Sequence, residues 1–217
     1  MSGDPTIFIV DDDQTLRDSL RWLLESLRHN VQTYASAREF LSSYDPAQPG
    51  CLVLDIRMPE ISGLQLQEIL TQRGIRIPVI MITGHGDIAM SVRAKKAGAI
   101  DFIEKPFNDQ ELLERVQQAL ALDARLRREE AQRRIAIERL DSLTPREREV
   151  LEKIVCGKLN KVIAAELGIC MKTVEAHRAK VMEKMGANSA AELAGMCFNS
   201  DLHQGKPLAR LGNARIL

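Results

Sequence analysis

The stretch TIFIVDDDQTLRDSLRWLLESLR (Thr6–Arg28) decides the fold. Five β-branched or aromatic residues, Thr6–Val10, make a short strand; three acids follow; then apolar residues recur at helical spacing from Thr15 to Arg28. The same strand-then-helix alternation repeats outward from it. Apolar or β-branched runs stand at Cys51–Leu54, Pro78–Ile82 and Ile100–Ile103, with a weaker one at Val31–Tyr34. Helical patterns lie between and after them at Ala37–Ser43, Leu64–Arg73, Ile88–Ala97 and Gln110–Leu122. Five strands alternating with five helices predict a doubly wound α/β domain, a parallel sheet covered on both faces. Such sheets hold their chemistry in the crevice at the carboxyl ends of the strands.

The rest of the chain reads differently. From Asn108 to Thr144 there is no glycine or proline, and LLERVQQALALDARLRREEAQRRIAIERL (Leu112–Leu140) consists almost wholly of good helix formers. Two readings stay open there. One is a solvated, charge-rich linker. The other is a helix running on from the first domain, with Leu113, Val116, Leu120, Leu126, Ile137 and Leu140 available for contacts. Thr144–Pro145–Arg146–Glu147 is a helix start, with threonine as cap, proline first and an acid third. Helices are then expected at Asn160–Leu167, Met171–Met185 and Ala190–Phe198, separated by Gly157, Gly168 and Gly186. The division is residues 1–122, a helical linker over 123–140, an all-α domain over 141–199, and a poorly ordered tail over 200–217.

Charge separates the halves. Residues 1–122 carry 12 Lys+Arg and 17 Asp+Glu, whereas residues 123–217 carry 18 and 13, so a net charge of zero conceals an acidic half and a basic one. A basic half suggests nucleic acid. No apolar run approaches membrane-spanning length, and the first residues lack a signal peptide's basic region. Cys51, Cys156, Cys170 and Cys197 stand far apart without zinc-ligand spacing, which predicts four free thiols in a reducing cytoplasm.

Asp11, Asp12 and Asp13 follow the first strand and Asp55 ends the third, so Asp11, Asp12 and Asp55 are expected to meet in one pocket. Crowded carboxylates call for a hard divalent cation. Thr83 at the end of the fourth strand and Lys105 after the fifth add a hydroxyl and a cation. That set suits a phosphoryl group, with one carboxylate as nucleophile. Asp13 reads as the cap of the first helix, shared with Gln14 and Thr15, and His85 as a solvated loop residue.

IVDD (Ile9–Asp12), LDIRMP (Leu54–Pro59), ITGHGD (Ile82–Asp87) and FIEKPF (Phe102–Phe107) together resemble the receiver domain of two-component response regulators over residues 5–122. The resemblance implies a flavodoxin-like sheet and an Asp55 phosphorylated by a sensor histidine kinase. Asp12, Asp55 and the Arg57 carbonyl would hold Mg2+, with Asp11 acting partly through water. Thr83 and Lys105 would bind the phosphoryl oxygens, Phe102 would swing inward as Thr83 moves, and the Lys105–Pro106 bond would be cis.

In the basic half, Ile163, Ala164 and Leu167, the turn at Gly168, then Val174 and Val181 form a helix-turn-helix pattern. LTPREREVLEKIVCGKLNKVIAAELGI (Leu143–Ile169) with KTVEAHRAKVMEKMGANSAAEL (Lys172–Leu193) resembles the four-helix DNA-binding domain of LuxR/FixJ/NarL regulators. Val174, Val181 and Met185 fall on the buried stripe of Met171–Met185. Lys172, Thr173, Glu175, Ala176, Ala179 and Lys180 fall on the opposite side, toward the major groove, and His177 and Arg178 straddle the boundary. Lys161 is a candidate phosphate clamp. Cys170 stands where the family usually places a capping serine, a poor cap whose thiol is read as a tolerated substitution ahead of a redox sensor. With 9 basic against 8 acidic residues in 141–198, affinity would lean on dimerisation.

The expectation is a transcription regulator, not an enzyme. Phosphorylation of Asp55 would favour a homodimer through the surface around the fourth helix and fifth strand, placing two recognition helices on double-stranded DNA and meeting RNA polymerase. Two rivals differ in class. An aspartyl-phosphate phosphatase of the haloacid-dehalogenase type needs a second aspartate two positions after the nucleophile, where Arg57 stands. A phosphorylation-independent regulator would use the receiver as a constitutive dimerisation module, which leaves a complete acidic pocket without a purpose.

Overall fold

The computed structural model describes residues 4–84 and 101–199, leaving out the side chains of Asp101, Phe198 and Asn199. The helix expected at Ile88–Ala97, His85 and the tail 200–217 lie outside the described residues. The chain divides into two compact units, residues 1–127 and 128–217.

The first unit holds β1 (Thr6–Val10), α1 (Gln14–Ser26), β2 (Asn30–Tyr34), α2 (Ala37–Ser43), β3 (Gly50–Asp55), α3 (Gly63–Gln72), β4 (Val79–Thr83), β5 (Asp101–Glu104) and the first turns of α4 (Asp109–Asp141). The strands form one parallel sheet in the order β2-β1-β3-β4-β5. Alternate residues point to opposite faces, which makes two cores. Phe8, Val10, Leu52, Leu54 and Met81 pack with Phe40 of α2 and with Leu66 and Leu70 of α3. Ile7, Ile9, Val53, Ile80, Ile82 and Ile103 pack with Leu20 and Leu24 of α1 and with Leu112, Val116 and Ala119 of α4. The winding reverses between β1 and β3, so their carboxyl ends lie side by side, with Val10 opposite Leu54.

The long run without glycine or proline is helical: α4 is continuous from Asp109 to Asp141. The first unit keeps its hold on this helix to Arg127, five residues beyond the boundary expected from the sequence. Asp123, only 4% exposed, accepts the Gly50 N–H at 2.9 Å and the Arg127 Nε–H at 2.8 Å. Arg127 in turn donates to the carbonyls of Pro46, Ala47 and Gln48. These bonds satisfy backbone groups at the foot of the sheet, so the turns carrying them belong to it.

The second unit contains the last turns of α4, then α5 (Pro145–Val155), α6 (Asn160–Leu167), α7 (Met171–Met185) and α8 (Ala190–Asn199). Its core gathers Leu140, Leu143, Val150, Leu151, Ile154, Ile163, Val174, Val181, Met185 and Leu193. The cap of α5 is as expected: Thr144 Oγ1 accepts the Glu147 N–H and the Glu147 carboxylate accepts the Thr144 N–H.

Candidate functional site

At the carboxyl ends of β1 and β3, Asp11 and Asp55 are 2% and 6% exposed. Lys105, just beyond β5, reaches both: its Nζ donates to Asp55 Oδ1 at 2.7 Å and to Asp11 Oδ2 at 3.2 Å. Local structure holds each acid in place. Asp11 Oδ1 accepts the Asp13 N–H at 2.8 Å, while Asp13 caps α1 through the N–H groups of Thr15 and Leu16. Asp55 Oδ2 accepts the Arg57 N–H at 2.6 Å. The chain then folds back so tightly that a Cβ on Gly63 would lie 2.3 Å from the Asp55 carbonyl oxygen. Only glycine permits that approach. The Lys105–Pro106 peptide is cis.

Burial raises the Asp55 carboxyl above its ordinary range; the Lys105 bond pulls it down, but the neighbouring Asp11 charge pushes it up again. Burial alone lowers the Lys105 ammonium, and the Asp55 and Asp11 carboxylates outweigh it, leaving the ammonium raised. Two buried carboxylates thus share one ammonium, and Asp55 remains undercompensated.

Thr83 ends β4 and is buried, with its hydroxyl 3.3 Å from the Gly84 carbonyl. Phe102, opposite Met81 across the β4–β5 pair, is half-buried against the first core. Asp12 is exposed beside Asp11. The described residues bring no three acidic side chains together as a closed metal cage. Mg2+ does not require one, since it keeps several waters and takes one or two carboxylates plus phosphate oxygens. Asp11 and Asp55, two buried carboxylates against one lysine, make a donor set that fits a hard divalent cation, but the exposed Asp12 is not gathered with them into the group of three that the sequence led us to expect. Beside this pocket a groove of about 1050 Å³ runs between α1 and the start of α4, lined by Trp22, Lys105, Pro106 and Phe107 among others. Trp22, which sequence reasoning passed over, is 75% exposed. An amphipathic helical pattern alone does not say which aromatic it leaves in solvent.

In the second unit, α6, the turn at Gly168 and α7 form a helix-turn-helix. Val174, Val181 and Met185 are buried, as their spacing predicts. Lys172, Glu175, Ala176, Ala179 and Lys180 are exposed on α7, with Thr173, His177 and Arg178 half-buried. Lys161 is exposed on α6, and Arg178 Nη1 lies 3.4 Å from Asn160 Oδ1. Cys170 makes no cap bond to the α7 backbone; its sulfur lies 3.0 Å from Thr173 Oγ1. Hydrogen bonding with Thr173 holds that thiol below its ordinary range, while burial pushes Cys51 up to about 12. No described helix is long and apolar enough to cross a membrane.

Comparison with known proteins agrees with both halves. The response regulator receiver domain family matches residues 7–117, and the bacterial regulatory proteins of the luxR family match residues 141–197. The transcriptional regulatory protein TdiR of Thauera aromatica is 42% identical, covering 91% of this chain and 87% of its own. FixJ of Azorhizobium caulinodans is 46% identical over 88% of this chain and 91% of its own. The solved response regulator StyR superposes with a TM-score of 0.81 at 46% identity, over 90% of this chain and 99% of that one. Relatives of this kind are regulators of transcription, not enzymes, and their domain pair implies DNA and a cognate kinase as partners. A receiver-type acidic crevice and a LuxR-type helix-turn-helix on one chain therefore make this protein a member of the two-component response regulators with a LuxR-family DNA-binding domain.

Proposed function

We propose that this protein is a cytoplasmic transcription factor switched by phosphorylation of Asp55. The observation carrying this reading is the convergence of Asp11, Asp55 and Lys105, which leaves Asp55 buried and undercompensated. An Asp55 oxygen attacks the phosphorus of a kinase phosphohistidine. The new O–P bond replaces the P–N bond, and the imidazole nitrogen keeps the electron pair and takes a proton. Asp12, Asp55 and the Arg57 carbonyl would hold Mg2+, with Asp11 beside them, and the ion would supply charge neutralisation on the phosphoryl oxygens. Lys105 exchanges its carboxylate contacts for a phosphoryl oxygen, and the Thr83 hydroxyl takes another. The groove beside Trp22 offers the kinase an apolar hold next to the acceptor.

Withdrawal of Thr83 toward the phosphoryl group opens space into which Phe102 turns, and the altered face around β5 and residues 88–97 favours a homodimer. Dimerisation sets two α7 helices on paired half-sites of double-stranded DNA, so that two weak contacts become one strong one. Lys172, Thr173, Glu175, Ala176 and Lys180 face the bases and flanking phosphates, while Lys161, His177 and Arg178 contact the backbone; RNA polymerase is engaged from the bound dimer. Sedimentation of wild type and Asp55→Asn with Mg2+, with and without beryllofluoride, tests the switch. Only wild type should pass from monomer to dimer. Dimers of both proteins under all conditions would overturn phosphorylation-driven dimerisation in favour of the constitutive module.

A further inference from the structure

The groove-facing side of α7 says what that helix touches; its far end shows what aims it. Met185 closes α7, wholly buried, and a final-turn carbonyl has no partner within its own helix. Arg139, in the last turns of α4, donates Nη1–H to the Met185 carbonyl at 2.7 Å. The next residue, Gly186, has φ +63°, and a Cβ there would stand 2.8 Å from Arg139 Nη1 and 3.0 Å from Cζ. The guanidinium thus lies directly on the glycine, with its charge at the negative end of the helix dipole.

A second tie runs the other way: Lys184 donates to the Ser142 carbonyl at 3.1 Å and to Glu147 at 2.7 Å. Leu140 and Leu143 share one core with Met185. At its other end α7 begins at Cys170 without a side-chain cap bond to its backbone. The end of α7 carrying Met185 is the one clamped from outside the helix, by Arg139 and through Lys184.

We infer that Arg139 is a positioning residue for DNA recognition, setting the angle at which α7 enters the groove by fixing its carboxyl end. This rests on α7 being the groove helix. A cap that served only stability would matter to folding and to nothing else. A positioning residue acts on discrimination, because base contacts demand placement and phosphate contacts tolerate displacement.

The test uses the full chain with Mg2+ and beryllofluoride, the condition under which the proposed switch gives the dimer. Wild type selects a consensus from random-sequence duplexes, and affinity is then measured for the selected duplex and for a random duplex at two salt concentrations. Arg139→Ala should lower the ratio of the two affinities about tenfold, roughly the worth of one base-pair contact. Random-duplex affinity and its salt slope should stay as in wild type. Arg139→Lys, which keeps a cation near the carbonyl but cannot lie flat on Gly186, should recover part of the ratio. Parallel loss on both duplexes, or no loss on either, overturns the inference. If Arg139→Ala does not fold, the lysine variant decides: wild-type discrimination leaves Arg139 only structural, and reduced discrimination upholds its role. A wild type that selects no consensus overturns the assignment of α7 itself, an outcome distinct from selection without dependence on Arg139.

Discussion

Asp55 and Glu147 are both buried carboxylates that accept a lysine ammonium at 2.7 Å, from Lys105 in the first unit and Lys184 in the second. Their acidities move in opposite directions. Asp55 is raised above the ordinary carboxylate range, whereas Glu147 falls to about 2, chiefly through the Lys184 bond with help from Thr144. The difference lies in the company each keeps. Lys105 is shared with Asp11, whose own charge presses on Asp55. No carboxylate rival stands among the causes acting on Glu147, and the Thr144 N–H completes its coordination at 2.9 Å. An ion pair therefore shows its purpose through its balance. Glu147 is compensated and ties α5 to the end of α7; Asp55 is left undercompensated.

That distinction could be confused with a difference between the two units, and Asp123 separates the possibilities. It is a buried carboxylate in the same unit as Asp55, but with an arginine and a backbone N–H to itself. Asp123→Ala should cost about 3 kcal/mol, since it strands the Gly50 N–H and removes the anion beside Arg127. Hydrogen exchange of the β1 and β3 amides measures it, with rates rising about a hundredfold where exchange follows unfolding of the sheet. A cost below about 1 kcal/mol would break the comparison, because burial with full compensation would then not mark a structural acid.

The two lysine-bound acids should respond with opposite signs when neutralised. A folded-state pKa above the ordinary 3.8 means that ionised Asp55 costs stability at neutral pH, a cost that vanishes as pH falls below that ordinary value. Asp55→Asn should raise the Tm by a few degrees at pH 7 without Mg2+, the gain shrinking in acid. Glu147 works the other way. Its stabilisation is complete above about 4.5 and is lost as pH falls toward 2, so Glu147→Gln should lower the Tm at pH 7 and match wild type near pH 2. Calorimetry across that pH range checks both. Tm shifts of the same sign would mean that balance does not decide the role.

How much of this was legible beforehand follows the range of each interaction. The β1–acid–α1 unit, the α5 capping box and the α7 stripe are local patterns, and the structure forms them at the residues their spacing marked. The meeting of Asp11 with Asp55 was legible because a parallel sheet of this winding must bring the ends of β1 and β3 together, whereas Asp12, expected with them, points to solvent one residue on and joins no group of three among the described residues. The roles of Asp123, Arg139 and Lys184 were not. Asp123 and Arg127 stand four apart on a helix, which predicts an exposed pair worth little. Their weight comes from carbonyls some eighty residues away in sequence, at Pro46, Ala47 and Gln48. Arg139 and Lys184 meet partners 46 and 37 residues distant, and no spacing rule reaches so far.

The smallest test dissects Glu147 itself. Its lowered pKa has two sources: the Lys184 ammonium and the Thr144 residue that caps α5. Thr144→Ala removes the hydroxyl that accepts the Glu147 N–H at 3.3 Å but keeps the backbone N–H that donates to the carboxylate. Loss of such a cap costs about 1 kcal/mol. Because the charge-bearing bonds survive, Glu147 should still titrate well below its ordinary 4.5 in a carboxyl NMR titration, and the acid sensitivity of the second unit should persist. A return to ordinary acidity would place the compensation in the cap instead of the lysine. The contrast with Asp55 would then turn on a helix terminus, and the sharing of Lys105 between two acids would no longer explain why the two carboxylates titrate in opposite directions.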